Sequence, residues 1–465
     1  MRILWLKSDL LLPLDKGGKL RTWHLMRHLA RRHEITYLAF AEPGTPASDV
    51  DGMRAVAARV ETIPRAEPAK GTLRFYADAA MHLVDPLPYA VGKYRSRAFK
   101  ERIEQLLAER PFDLIVCDFL FPAVNLPKRL PCPAVIFTHN VESEIWRRHA
   151  DTKSGVLGRV LYGAQYRRMR RYEGRTLARF DGVLAVSDVD GDTLARLYPG
   201  AITQPVHVVQ TGVDTEYFAP DRIPNQESQI PTPSLVFTGS MDWLPNEDAM
   251  LYFCRDILPV VRAEAPEATL TIVGRAPTPA VKRLADECAG VRVTGRVDDV
   301  RPYMRDAAVY IVPLRIGGGT RLKIFEAMAM GKAVVSTVIG AEGLPVVDGT
   351  HVVLADEPRD FARAILGVMR DPVRRAALEA AARALVVERY DWSTVAGALE
   401  HALQSIADCG LRTADCRLPI EERPAAAITN QPVIANQSAI TNQSAITRST
   451  THNHAAIRNP QSALR

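Results

Sequence analysis

Short runs of apolar, mostly β-branched residues recur along the chain, and between them apolar residues return every three or four positions. The runs have the pattern of buried strands and the spaced stretches that of amphipathic helices. Strands are expected at 2–8, 34–40, 113–118 and 134–138, with others opening 181–192 and 206–218. Further on they fall at 235–239, 268–273, 291–294, 308–313, 333–337 and 351–354. Helices fill 246–264, 278–288, 298–306, 320–330 and 359–370, and 372–407 is helical as well. Strand and helix alternating over short connections predict an α/β protein with parallel, doubly wound sheets. Residues 43–69, rich in Pro and Ala, read as loops, and 71–110 carry helical signals among many positive charges. The Pro-rich polar stretch 220–233 reads as a linker, so a domain boundary is expected near 205–233. Beyond about residue 420 the chain becomes a near-repeat of Ile-Thr-Asn-Gln-Ser-Ala, almost without charge and without a core-forming period. That composition predicts a disordered tail.

Chemistry concentrates where a strand runs into glycines. Residues 308–343 read AVYIVPLRIGGGTRLKIFEAMAMGKAVVSTVIGAEG. A buried strand leads to Gly317, Gly318 and Gly319, Thr320 stands where an N-cap belongs, and Gly331 closes the helix. This is one βαβ unit with its loop at the carboxyl end of a strand, where open α/β sheets bind ligands. The free N–H groups of a helix start favour an anion, typically phosphate. Arg321 and Lys323 lie in the first turn. Cations there oppose the helix dipole by about 0.3–1 kcal/mol each, a conflict that a bound diphosphate removes. Glu326 follows on the same helix and could accept hydrogen bonds from a sugar or ribose hydroxyl. An ordinary βαβ unit with solvated charges has the same pattern, so both readings stand at this point.

A second glycine loop follows the first strand. Gly17 and Gly18 precede a helix whose Leu20, Trp23, Leu25, Met26 and Leu29 form one apolar stripe, with Lys16, Lys19 and Arg21 around it. A third candidate is THNVE at a strand end, with His139, Asn140 and Glu142; a histidine bonded to nearby backbone is the plainer alternative. Asp118 ends the preceding strand.

Length and charge narrow the rest. At 465 residues two domains are expected. A net charge of +6 suits anionic partners without choosing among nucleotide sugars, membrane surfaces and nucleic acid. The six cysteines contain no CxxC spacing, which argues for reduced thiols and against a metal site or disulfide framework. Asp188, Asp190 and Asp192 lack the glycine and glutamate that a calcium loop wants at its sixth and twelfth positions and read as a solvated helix start. Residues 146–180 are densely basic: either a solvated helix face packed on the first sheet, or a surface for peripheral contact with an anionic membrane, worth about 1 kcal/mol per basic residue. Lys7 and Asp9 interrupt the apolar N-terminus, so no secretory leader is expected, and no run reaches the ~18 apolar residues of a membrane span.

GTRLKIFEAMAMGKAVVST resembles the donor-binding segment of the retaining glycosyltransferases of family 4, which have the GT-B fold. There the segment usually reads Glu, seven residues, Glu, then Ala-Met-Ala-x-Gly. Here the second Glu is Glu326, followed by Ala327, Met328, Ala329 and Gly331, while Gly318 stands at the first Glu position. The Gly17–Gly18 pair resembles the family's loop that approaches donor phosphates, and Gly212-Val213-Asp214 its crossing into the second domain. DKGGKLRTWHLMRHLA also resembles the sugar transferases found with bacterial exosortase sorting systems.

The resemblance implies two Rossmann-like doubly wound domains facing a cleft. The first, acceptor-side domain would span 1–205 and the nucleotide-sugar-binding domain 206–392; a helix at 393–415 would return to the first domain, ahead of the tail at 416–465. It implies a hexosyltransferase-like enzyme that moves a sugar from a nucleotide diphosphate sugar to the hydroxyl of a glycan, polysaccharide or lipid-linked acceptor, with retention of configuration. His139 would approach the reacting sugar and β-phosphate. Gly17, Gly18, Gly239, Gly274, Gly318, Gly319 and Thr320 would line the donor. The Arg and Lys that the family places soon after Gly239 are absent here, where Met241, Asp242, Trp243 and Asn246 stand, and Arg321 and Lys323 are the candidates to replace them. No metal and no cofactor are expected, no nucleic acid partner, and a cytoplasmic setting at the inner face of the membrane. A catalytically degenerate carbohydrate-binding or membrane scaffold and a GT-B nucleotide-sugar epimerase are the competing functions.

Overall fold

The computed structural model describes residues 1–14, 17–67, 72, 85–152, 155–203, 206–222, 234–316 and 322–412. The proposed tail at 416–465 lies outside the described residues, as do Gly318, Gly319, Thr320 and Arg321.

Seven strands form the first sheet: β1 (Arg2–Lys7), β2 (Glu34–Ala41), β3 (Arg59–Pro64), β4 (Leu114–Asp118), β5 (Ala134–Phe137), β6 (Gly182–Ala185) and β7 (His207–Val208). Their spatial order is β3-β2-β1-β4-β5-β6-β7, with all pairs parallel. The second sheet holds β8 (Ser234–Thr238), β9 (Thr269–Val273), β10 (Val291–Gly295), β11 (Val309–Val312), β12 (Val334–Ser336) and β13 (Val353–Leu354) in the order β10-β9-β8-β11-β12-β13. In each sheet the order reverses once, between β1 and β4 and between β8 and β11. A crevice opens at the carboxyl ends of strands at such a switch point.

Two expectations need correction. Residues 59–64 form β3 within the stretch read as loops; it is an edge strand, half-buried along most of its length, so it lacks the apolar run that marks the central strands. The first sheet also continues past residue 205, because β7 pairs with β6 through Leu184↔His207 and Ala185↔Val208. The helix expected at 246–264 is present as one continuous helical stretch, Leu244–Tyr252 and Leu258–Glu264 joined by a π turn over Phe253–Ile257. Pro259 has no N–H for the regular ladder, which accounts for the wider turn there.

Buried residues form one cluster in the second half and one on each face of the first sheet. The last helix, Trp392–Arg412, belongs to the first sheet's core: Trp392, Val395, Leu399, Leu403 and Ile406 pack with Trp5, Leu25 and Phe137. A Cβ on Gly182 would stand 2.3 Å from Ile406 Cδ1, so the bare strand is what admits the helix. The two chain crossings touch: Val213 N–H donates to the Tyr390 carbonyl at 2.7 Å and Thr215 Oγ1 to Asp391 Oδ2 at 2.6 Å.

Candidate functional site

At the switch point of the first sheet, parallel register sets Lys7 beside Asp118. Lys7 Nζ lies 2.9 Å from Asp118 Oδ2, and both side chains are almost wholly buried. A bare ion pair would be expensive there, since each charge loses its water. Further donors surround the carboxylate. Trp5 Nε1 donates to Oδ2 at 3.0 Å and Thr22 Oγ1 at 2.7 Å, while Lys7 Nζ donates to Thr22 Oγ1 at 3.0 Å. Thr22 comes from the helix Gly17–Leu29, which starts at the glycine pair. Burial alone would raise the Asp118 carboxyl, yet Lys7 and His139 hold it well below its usual range.

His139, two residues past β5, places Nε2 2.6 Å from Asp118 Oδ1. Its ring stacks on Phe119, centroids 4.2 Å apart, and leans on Phe137 at 4.9 Å. Phe119 has φ of 86°, a strained value for a bulky residue, and Lys7 Nζ sits 4.9 Å over the same ring. Burial pushes the His139 imidazole down to about 4 against the pull of Asp118, so the ring is neutral at physiological pH. Buried Arg21 brings a guanidinium nitrogen to 3.5 Å from His139 Nδ1. A Cβ on Gly18 would stand 3.8 Å from Nδ1. The glycine pair and His139, far apart in sequence, thus share one corner.

The switch point of the second sheet is built from backbone. Gly274, after β9, has φ of +157°, and a Cβ on it would stand 1.6 Å from the Gly239 carbonyl oxygen, so no other residue fits. A Cβ on Gly239 would meet Asn246 Nδ2 at 2.8 Å and Lys323 Nζ at 2.9 Å. The Lys323 ammonium therefore stands at the Gly239 turn, where it donates to Asn246 Oδ1 at 2.8 Å and lies 4.0 Å over the Phe237 ring. Three residues on, the half-buried Glu326 carboxyl is pushed up to about 7 by burial, which outweighs the opposing pull of Lys323. The Tyr217 and Tyr310 hydroxyls are pushed up chiefly by burial, with the Glu326 charge adding in the same direction. Arg275 is held to Ser240 Oγ at 2.9 Å.

The two corners adjoin. A Cβ on Gly17 would stand 3.3 Å from Leu322 Cδ1, at the start of the helix Leu322–Ala329 that carries Lys323 and Glu326. The structure thus gathers Gly17, Gly18 and His139 in one corner and Gly239, Gly274 and Lys323 in the other, with Glu326 one turn further along the Lys323 helix. Lys7, Thr22, Trp5 and Phe119 escaped the sequence reading. Their one signal was a lysine at the end of an otherwise apolar strand. Asn246 had no signal beyond its distance from Gly239.

Other candidates have partners of their own. The Glu142 carboxyl is pushed up to about 7 by burial and by Glu173, with Asn140 pulling the other way. Glu173 caps the helix Glu142–Thr152, accepting from the N–H groups of Glu142 at 2.9 Å and Ser143 at 3.1 Å. Ser187 caps the helix Asp188–Leu197 through the Asp190 N–H at 3.1 Å, so two of the three aspartates sit in a first helical turn. Among the described residues no group of three or more His, Cys, Asp or Glu is placed to hold a metal ion, and no helix is long and apolar enough to cross a membrane. The basic stretch is partly inward: Arg179 donates to the carbonyls of Ala123, Leu126 and Pro127, and Arg147 pairs with Glu144 and Asp151. Val160 and Leu161 are exposed beside Arg159 and Arg167.

A family model for glycosyltransferase family 4 matches residues 16–217, and one for glycosyl transferases group 1 matches 232–371. The chain is a glycosyltransferase of family 4. Among its relatives, the phosphatidyl-myo-inositol mannosyltransferase of Mycolicibacterium smegmatis is 27% identical over 70% of this chain and 81% of its own length. The protein of the same name from Mycobacterium tuberculosis is 31% identical over 50% of this chain and 61% of its own. Anabaena HepE, solved in complex with UDP, superposes with a TM-score of 0.61 at 17% identity, covering 87% of this chain and 100% of that one. The family 4 glycosyltransferase described here therefore has the expected GT-B fold, with two parallel sheets of seven and six strands.

Proposed function

We propose that this glycosyltransferase takes its sugar from a nucleotide diphosphate sugar and passes it, with retained configuration, to a hydroxyl of a glycan, polysaccharide or lipid-linked acceptor. The observation that carries this reading is the meeting of two glycine corners at Gly17 and Leu322, with the Lys323 ammonium standing at Gly239. A diphosphate laid between them would meet bare backbone from both halves and a cation already in place. Glu326 suits the ribose: a carboxyl pushed up to about 7 by burial shares a hydrogen bond with a hydroxyl at little cost. Arg321, Gly319 and Thr320 are proposed to complete the phosphate site, and UDP in the HepE structure supports a nucleotide there.

The departing diphosphate oxygen would take the acceptor proton on the face it leaves, so no protein nucleophile is needed. The protein supplies positioning and charge, with Lys323 and Arg321 in the place of a metal. The mannosyltransferase relatives, by name, act on a lipid carrying a polyol headgroup, which supports a lipid-linked acceptor. Exposed Val160 and Leu161 among arginines support contact with the inner face of an anionic membrane.

The test is thermal stabilisation by a panel of nucleoside diphosphates and nucleotide sugars. A ligand at 100 times its Kd adds about 2.7 kcal/mol. One base should stand out, and the anomeric configuration of the product, read by NMR, should match the donor. No shift with any member of the panel would sink this reading and favour the scaffold alternative.

A further inference from the structure

The spacing of the cysteines carries no motif, but the fold brings two of them together. Cys254 lies on the π turn Phe253–Ile257, and Cys288 is the C-cap of the helix Pro279–Glu287, just ahead of β10. Both line one cavity of about 510 Å³ in the second half, with Leu258, Arg262 and Glu287 around them. Their thiols are within hydrogen-bonding reach of each other, and both are free. Cys254 is buried in the core cluster, and Cys288 packs against that cluster half-buried. The backbone around them is tied down. Arg262 donates to the Ala289 carbonyl, next to Cys288, and to the Pro266 carbonyl at 3.1 Å. The Leu270 N–H of β9 donates to the Gly290 carbonyl at 2.9 Å. At the other end of the same helix, the Thr278 hydroxyl donates to Glu247 on the helix Leu244–Tyr252 at 2.7 Å. Two thiols held side by side, one of them reachable from solvent, are placed to form a disulfide.

We infer that Cys254 and Cys288 are a reversible dithiol–disulfide couple, a modification site that closes when the protein meets a low-molecular-weight disulfide such as oxidised glutathione. Cys288, as thiolate, attacks one sulfur of the oxidant. The S–S bond of the oxidant breaks, one thiolate leaves, and a mixed disulfide forms at Cys288. Cys254 then attacks the Cys288 sulfur and expels the second thiolate. Two cysteine thiols give up two electrons, the oxidant is reduced to two thiols, and the two cysteine protons end on these. Burial sets the order. It pushes the Cys254 thiol up, with Cys288 adding in the same direction, so the first attack falls to Cys288. In the mixed disulfide Cys288 can carry no charge, and Cys254 then loses its proton more easily. The closed bond ties the two ends of the segment that contains β9 and constrains the unfolded chain. Cys288 precedes β10, at the amino ends of parallel strands whose carboxyl ends lead to Gly239 and Gly274. The couple therefore acts on the stability of the second half, away from the glycine corner.

The test is oxidation of the full chain with oxidised glutathione, then alkylation of the remaining thiols and tryptic mass spectrometry. The expected product joins peptide 223–255, which carries Cys254, to peptide 284–292, which carries Cys288. Dithiothreitol should undo the bond. The thermal unfolding midpoint of the oxidised wild type should rise by several degrees and return on reduction. Cys288→Ala, at a half-buried position, should show neither the cross-link nor the shift. Cys254→Ala should stop at one glutathione on Cys288. If Cys254→Ala does not fold, the wild-type cross-link and its absence in Cys288→Ala decide by themselves. A wild type that keeps glutathione on Cys288 without closing would overturn the proposal. So would one that stays unmodified at both positions, or that joins either cysteine to Cys409 or Cys416 instead.

Discussion

The two switch points of this glycosyltransferase do the same geometric job with opposite materials. The first is packed with side chains: Lys7, Asp118, Thr22, Trp5 and His139 close on one another and are almost wholly buried. The second is nearly bare: Gly239 and Gly274 press backbone on backbone, and Lys323 reaches over Gly239 from the helix that also carries Glu326. A site made of side chains is preorganised and shape-selective, which suits a sugar. A site made of glycine and helix start offers N–H groups and room, which suits diphosphate.

The largest effect should come from Gly274→Ala. With a Cβ aimed 1.6 Å from the Gly239 oxygen, the loss should reach about 4 kcal/mol or more in urea unfolding. A near-native midpoint would mean the two strand ends part easily. Next, Lys7→Met should cost about 3–5 kcal/mol by stranding Asp118. Replacing Asp118 by Leu in the same chain should recover part of that loss, and a purely additive double variant would contradict the coupling.

Glu326→Gln separates the corners differently. Removing a desolvated carboxyl should change unliganded stability by less than about 1 kcal/mol while reducing the shift given by the preferred nucleoside diphosphate. An unaltered shift would remove Glu326 from the site.

The corners should also answer pH with opposite signs. His139 holds at about 4 in the fold and at 6.5 ordinarily, so between these values the unfolded chain binds the extra proton. Its contribution is whole above 6.5 and is lost as pH falls toward about 4, and His24, lowered likewise to about 4, adds to that loss. Glu326 is raised from 4.5 to about 7, so there the fold holds the proton. Its contribution is whole below 4.5 and is lost as pH rises to about 7, with Glu142 acting in the same sense. Denaturation midpoints across this range should lose part of the acid arm in His139→Gln and part of the neutral arm in Glu326→Gln; matching curves for the two variants would refute the contrast. The smallest effect belongs far from both corners. Glu400 ties the last helix to Arg32 and His33 at 3.0 and 2.9 Å. Because Arg32 is exposed, Glu400→Ala should cost less than about 1 kcal/mol by thermal unfolding.

The second corner was largely legible in the chain, because glycine announces a close backbone approach and the helix carrying Lys323 and Glu326 follows at once. The first was half legible. His139 and the Gly17–Gly18 pair stood out, but Lys7 read as an interruption and Asp118 as a minor strand end, since a buried charge is marked only by the partner it finds. β3 was missed for a related reason: an edge strand, half-buried along most of its length, loses the apolar run that identifies its neighbours.

By itself, then, the sequence determined which stretches are strands and helices, and where the backbone had to stay bare. Apolar period and glycine dihedrals are local properties, written into a few neighbouring residues. Only the tertiary structure decided which residues meet. Parallel pairing puts Lys7 beside Asp118 and Asp118 beside Phe137, and so brings His139 to the same carboxylate. It also sets Gly17 against Leu322 from the other half. Such meetings depend on strand order and register across long stretches of chain, and no local pattern carries that information.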